Sequence, residues 1–280
     1  MSANQACPII ERLERLLLAT DGSKYSEGAV REAINLAKTC GSKLYAISVI
    51  EVNPEFEALA PGLVEKEERQ RLEHLKTVKS KASKEGVDCE IIVYRGGEPY
   101  ESIVDEAAKN KVGMIIMGRY GRSALGRVMM GSATAKVIGY TLCRVLVVPK
   151  DAKLTFEKIL IATDGSMHSE FASQEAISIA KRSGSTLIVL SVAKKDENLP
   201  AAKVNVYMVK EIAEKEGIKV EALTLKGVPH EVIVNTAARK NAGLIVIGSH
   251  GRTGISKLLM GSVTERVIGH AESAVLVWKL

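Results

Sequence analysis

The stretch LLLATDGSKYSEGAVREAINLAKTCGSKLYAISV at residues 16–49 returns as ILIATDGSMHSEFASQEAISIAKRSGSTLIVLSV at residues 159–192. A second stretch, GMIIMGRYGRSALGRVMMGSATAKVIGYTLCRVLVVPK at 113–150, returns as GLIVIGSHGRTGISKLLMGSVTERVIGHAESAVLVWKL at 243–280. The chain is two copies of one unit, and the repeat sets the architecture before any motif is read. The first pair is offset by 143 residues and the second by 130, so the copies differ by 13 residues in their middles. The surplus belongs after the second strand, where EVNPEFEALAPGLVEKEE in the first copy is longer than AKKDENLPAA in the second. Domains of 1–150 and 151–280 follow, with KDAKLTFE at 150–157 as the linker. A chain of 280 residues divides comfortably into two such units.

Within each copy, strand and helix signals alternate. Leu16–Thr20 is a short unbroken apolar run, the mark of a strand covered on both faces. Ser23–Thr39 predicts an amphipathic helix with Ala29, Ile34 and Ala37 on its apolar side, stopped at Gly41. Lys43–Val49 reads as the second strand, Val64–Glu85 as the second helix and Cys89–Tyr94 as the third strand. Pro99 opens a third helix, where its missing N–H costs nothing, and that helix runs to Asn110. Met114–Met117 is the fourth strand, a fourth helix follows Gly131, and Arg144–Pro149 is the fifth strand. The expected fold class is α/β, with two tandem five-stranded parallel sheets covered by helices on both faces through right-handed crossovers. Such sheets bind ligands beyond the carboxyl ends of their strands, where the strand order reverses.

Two segments fall at those ends. One is Thr20-Asp21-Gly22-Ser23, repeated as Thr163-Asp164-Gly165-Ser166. The other begins Gly118-Arg119-Tyr120-Gly121 and, nine residues on, continues Gly131-Ser132-Ala133-Thr134. Its repeat is Gly248-Ser249-His250-Gly251 and then Gly261-Ser262-Val263-Thr264. Glycines admit positive φ and let a ligand approach the backbone closely. The glycine-serine pairs open a helix, whose free N–H groups and dipole favour an anion. The hydroxyls of Ser132 and Thr134 can donate to the same oxygens, and Arg122 and Arg127, with Arg252 and Lys257 in the second copy, can neutralise phosphate charge. The plain alternative is that the glycines make only a turn and a cap. Convergence of two glycine pairs, a helix start and an Asp loop at one end of the sheet favours phosphate binding. For Asp21 and Asp164 two roles stay open: satisfying amides of their own turn, or holding a ribose hydroxyl or Mg2+. His250 has no triad partner nearby and reads as an exposed loop residue; Met129, Met130 and Met260 read as packing.

Composition excludes several classes. No apolar run reaches the roughly 18 residues that cross a bilayer, and the first residues lack a secretory pattern, so a cytoplasmic location without membrane contact is expected. Residues 1–150 carry 22 Lys/Arg against 19 Asp/Glu and residues 151–280 carry 17 against 14, so each half is +3. That even split, with 4% aromatics, argues against nucleic-acid partners. Cys7, Cys40, Cys89 and Cys143 show no metal-ligand spacing and read as buried or incidental thiols, with no disulfide expected.

The G-x2-G-x9-G-[ST] signature, the Asp loop before it and the terminal VLVVPK-like strand resemble the ATP-binding type of the universal stress protein family, in both copies and over nearly the whole chain. The resemblance implies sheets of order 3-2-1-4-5, of the Rossmann-like adenine-nucleotide alpha-hydrolase kind, with ATP between the first and fourth strands. Carried over, Thr20, Asp21 and Val49 would meet adenosine, and Gly118, Arg119, Gly121, Arg122, Gly131, Ser132, Ala133 and Thr134 the phosphates. The second set is Thr163, Asp164, Val192, Gly248, His250, Gly251, Arg252, Gly261, Ser262, Val263 and Thr264. No metal site is assigned beyond Mg2+ held through Asp21 and Asp164. The resemblance further implies that Arg144–Pro149 and Ala274–Trp278 pair as a pseudo-dimer within the chain, leaving further homodimerisation open. The expected role is nucleotide-dependent stress response or signalling. Alternatives are a slow ATPase or adenylyl-transferring enzyme, for which the loops offer no matched base and no catalytic residue is named, and a nucleotide-free interaction scaffold.

Overall fold

The computed structural model describes residues 7–8, 13–52, 54–121, 130–251 and 260–279. In the first copy β1 (Arg15–Ala19), α1 (Glu27–Cys40), β2 (Lys43–Glu51), α2 (Pro54–Leu59), α3 (Pro61–Lys84), β3 (Cys89–Gly96), α4 (Pro99–Lys109), β4 (Met114–Gly118), α5 (Ser132–Tyr140) and β5 (Arg144–Val148) follow one another. The second copy runs β6 (Lys158–Ala162), α6 (Met167–Ser183), β7 (Thr186–Ala193), α7 (Leu199–Lys215), β8 (Val220–Lys226), α8 (Pro229–Lys240), β9 (Leu244–Gly248), α9 (Ser262–His270) and β10 (Ala274–Trp278).

The strands form one sheet of ten, in the order β3-β2-β1-β4-β5-β10-β9-β6-β7-β8. Each half is parallel and has the expected 3-2-1-4-5 order, and the halves join where β5 meets β10 antiparallel. Val147, Leu146 and Val145 there lie opposite Val275, Leu276 and Val277, all of them buried. Neither strand keeps an open edge on that side, which removes a site for unwanted pairing.

Because side chains alternate along a strand, the ten strands supply two cores, one per face. Leu16, Leu18, Leu146, Ile159 and Leu276 pack with α1, α3, α6 and α7 on one face. Leu17, Val145, Leu160, Val275 and Val277 pack with α4, α5, α8 and α9 on the other. Both cores run without a break across the junction. Across it, too, Arg144 on β5 donates two hydrogen bonds to Glu175 on α6, at 2.9 and 3.1 Å, with its guanidinium 4.3 Å over the Trp278 ring. Two contacts reach over the axis to carbonyls of matching position: Arg119 donates to the Gly269 carbonyl near the end of α9 at 2.8 Å, and Lys279 donates to the Gly139 carbonyl near the end of α5.

Several expectations change. The segment Ser23–Thr39 divides into a 3-10 turn at Lys24–Ser26 and α1, which ends at Gly41 with φ +64. The second helix starts at Pro61 rather than Val64 and is preceded by α2, each helix having a proline at its first position. The copies are offset by 143 at Ser48/Ser191 and by 131 at Gly86/Gly217, so 12 of the 13 surplus residues lie after the second strand as expected, part of them in α3, which has 24 residues to the 17 of α7. Pro99/Pro229 are offset by 130, so the last is lost after the third strand.

The expectation of no disulfide is overturned. Cys7 and Cys40 are bonded, with Cα atoms 4.3 Å apart. Gly41 turns the chain at the end of α1, and Pro8, whose carbonyl accepts from Arg182 of α6 at 3.3 Å, lies against the same end. Two cysteines 33 residues apart thereby become neighbours, a proximity that no local spacing encodes. Cys89, by contrast, is a buried thiol whose pKa is pushed up to about 11 by burial, and Cys143 is half-buried with Sγ 3.2 Å from the Val112 carbonyl.

Two outcomes follow. Truncating the fully buried Leu146 to Ala opposite Leu276 should cost about 2–5 kcal/mol, read as a lower urea midpoint with a single transition for both halves. Reductant should lower the thermal midpoint of the wild type by the equivalent of roughly 2–4 kcal/mol and leave a Cys7→Ser/Cys40→Ser protein unmoved. Equal midpoints with and without reductant would mean that the bond does not constrain the chain.

Candidate functional site

Each half opens a cleft at the carboxyl ends of its strands, between its first and fourth strands. The first has a volume of about 440 Å³ and the second about 390 Å³. Thr20, Asp21, Val49, Gly118, Gly121, Ser132, Ala133 and Thr134 line the first. Thr163, Asp164, Val192, Gly248, His250, Gly251, Gly261, Ser262, Val263 and Thr264 line the second. Gly131 sits beside the first lining, its N–H donating to the Arg119 carbonyl at 2.9 Å. Arg122 and Arg252, with Arg127, Lys257 and Met129, lie outside the described residues; Met130 and Met260 are buried, as packing residues should be.

The Asp loop is built from its own backbone. The Ser23 N–H donates to Asp21 Oδ1 and the Ser166 N–H to Asp164 Oδ1, both at 3.0 Å. Gly22 and Gly165 take φ of +70 and +74 to close this turn. One carboxylate oxygen thus serves the turn while Oδ2 faces the glycine loop: a Cβ on Gly121 would stand 3.3 Å from Asp21 Oδ2, and one on Gly251 2.6 Å from Asp164 Oδ2. The carboxylate thus satisfies its own turn through Oδ1, the first of the two roles left open for it. The threonine before it is buried, and its hydroxyl is taken up locally. Thr20 Oγ1 accepts from the Gly22 N–H at 3.3 Å and lies 2.9 Å from Ser26 Oγ and 3.0 Å from His74 Nε2.

The glycine loop works by close approach and not by unusual φ. None of Gly118, Gly121, Gly131, Gly248, Gly251 or Gly261 has positive φ, contrary to the expectation for the first pair. A Cβ on Gly118 would instead fall 2.8 Å from the Tyr25 carbonyl, and one on Gly248 2.8 Å from the His168 backbone. Those two glycines seat the fourth strand of each copy against the start of its first helix. Gly131 and Gly261 are the N-caps of α5 and α9, and neither helix has a side-chain cap. Ser132 and Ser262, the first residues of these helices, are exposed and line the clefts.

Two expected contacts and one expected exposure are corrected. Thr134 and Thr264 are buried and donate to the Gly118 and Gly248 carbonyls, at 3.1 and 2.8 Å, which leaves no hydroxyl proton for a ligand. Arg119 turns away from the cleft to Gly269 of the other half. His250 is a half-buried cleft residue rather than an exposed one, its Nδ1 3.1 Å from Ser249 Oγ and its ring 5.1 Å from that of His168.

The sequence reading also misses the wall supplied by α3 and α7. Arg71 is buried, donates to the Asp21 carbonyl, and lies 3.0 Å from Glu67 Oε1 and 3.5 Å from Ser48 Oγ. At the offset of 131 its counterpart is Ala202, and that of His74 is Asn205, 3.5 Å from Ser191 Oγ. The available signal was spacing: residues 71 and 74 share one helix face with the buried Leu75, Val78 and Ala82.

The universal stress protein family model matches residues 12–149 and again 155–279. The chain is 25% identical over 291 aligned positions to universal stress protein Slr1230 of Synechocystis, covering 95% of this chain and all of that one. It is 38% identical to universal stress protein MJ0531 of Methanocaldococcus jannaschii, over half of this chain and 84% of that one. A solved universal stress protein from Archaeoglobus fulgidus superposes with a TM-score of 0.76 at 23% identity, over 95% of this chain and 98% of that one, a likeness of fold. Matched in both halves and nearly end to end, the chain belongs to the universal stress protein family.

Proposed function

We propose that the protein binds an adenine nucleotide in each cleft, with ATP foremost among the ligands of the chain, and that occupancy biases a surface read by a partner in a stress or signalling response. One observation carries this reading: in both halves a helix start without a side-chain cap meets an Asp loop across a close-packed glycine turn. Free N–H groups at one end suit phosphate oxygens. At the other end the carboxylates of Asp21 and Asp164 suit a ribose hydroxyl, or Mg2+ beside the phosphates. Val49 and Val192, at the ends of β2 and β7, supply half-buried apolar surface for a base.

What the copies share is an apparatus for holding. Glycines, serines and aspartates match, whereas the side chains nearest the phosphate end, Tyr120 and His250, differ in chemistry. A general base used by both sites would have to match. Binding is therefore the reading favoured over ATP hydrolysis or adenylyl transfer, and a cytoplasmic setting accompanies it.

Equilibrium titration with a labelled ATP analogue, together with mass spectrometry of nucleotide released on denaturation, tests the proposal. Saturable uptake should fall roughly tenfold or more in Gly131→Val/Gly261→Val, where lost hydrogen bonds to charged oxygens are worth about 1.5–3 kcal/mol each. Uptake that is absent, or indifferent to the double substitution, defeats it.

A further inference from the structure

We propose that the two clefts are tuned to ligands of different charge, the second to a polyphosphate nucleotide and the first to a nucleoside or nucleoside monophosphate. The inference rests on the nucleotide reading above and concerns which cleft takes which form.

Its ground is the wall facing the glycine loop, where the copies depart from one another. Position by position, Glu51 at the end of β2 becomes Lys194, Glu67 becomes Asn198, and Arg71 becomes Ala202. The described lining of the first cleft sets Asp21, Glu51, Glu67 and Glu98 against Arg71 and Lys136. Both of those cations already face carboxylates: Lys136 lies 2.6 Å from Glu98, and Arg71 lies 3.0 Å from Glu67. Among the described lining residues of the second cleft, Asp164 and Lys194 are the acidic and basic side chains. By sequence the loop between the glycine pairs carries two basic residues in each copy, Arg122 and Arg127 or Arg252 and Lys257, so it does not offset the difference. A ligand whose charge is spread over three phosphates meets net repulsion in the first cleft and none in the second.

The aromatic pair beneath the glycine loop points the same way. Tyr25 and Tyr120 meet there in the first half, ring centroids 6.0 Å apart, and His168 and His250 take their places in the second at 5.1 Å. Burial holds the His168 imidazole below its usual range, with His250 and Lys279 adding to that and Asp164 opposing it. His250 brings an imidazole to the lining of the second cleft where Tyr120 brings a phenol to the first.

Single substitutions separate the sites. A Cβ at Gly131 or Gly261 meets nothing closer than 3.5 or 3.4 Å, and φ is −64° or −69°, so valine is compatible with the backbone while its methyls cover the helix N–H groups. By calorimetry, Gly261→Val should lower ATP affinity roughly tenfold or more and Gly131→Val by clearly less, while AMP distinguishes the two by less than about threefold. Adding Glu51→Lys/Glu67→Asn to Gly261→Val should restore ATP affinity by roughly tenfold. Equal ATP affinities in the two single variants, tighter binding by Gly261→Val, or no gain from the charge change each overturn the assignment. A wild type that takes up neither ATP, AMP nor adenosine fails differently, by removing the nucleotide reading itself.

Discussion

The antiparallel meeting of β5 and β10 is the constraint on which the molecule depends. Three residue pairs make it, yet it turns two sheets of five into one sheet of ten and lets both cores pass from half to half. Parallel strands covered on both faces need apolar side chains on both sides, and that is why they read as unbroken runs such as Leu16–Leu18 and Ile159–Ile161. A strand of that composition cannot be left as an edge. The junction gives each last strand a partner of its own kind, and the Arg144–Glu175 pair secures it from the helix layer.

With faces covered and inner edges paired, polar backbone can meet a ligand only at the strand ends. There the packing glycines and the cleft glycines divide their labour. Gly118 and Gly248 have no side chain because the start of the first helix of each copy lies against them, and this close seating sets the distance between the Asp loop and the N-termini of α5 and α9. The cleft is a by-product of core packing, lined by whatever side chains the surrounding helices present.

That division explains what could be read in the sequence. The repeat, the alternation of strand and helix and the two loops at the strand ends are encoded locally, in apolar runs, glycines and a helix start, whereas the strand order and the terminal pairing came through the family resemblance. Arg71, His74 and His168 are not encoded locally. Arg71 reaches the Asp21 carbonyl across 50 residues, and only the packing of α3 on β2 makes them neighbours. The Cys7–Cys40 bond was hidden for the same reason. Thr134 misled in the opposite sense: a hydroxyl in a phosphate-binding pattern was spent on the carbonyl of Gly118. A short helix between two prolines, α2, falls below the length at which periodicity is informative.

The linker at 150–157 does more than connect. Ala152 within it accepts from Arg31 of α1, so the join is held against the first domain as well as spanning to the second. In an assembly of two separate identical chains, every substitution arrives twice and the two halves stay mirror partners. Fusion ends that obligation. Here the pair Tyr25–Tyr120 has diverged from His168–His250, and Tyr100–Tyr140 from His230–His270, at matching positions about one axis. A single gene product can therefore inherit left and right as separate traits, with one half free to drift while the other keeps its task.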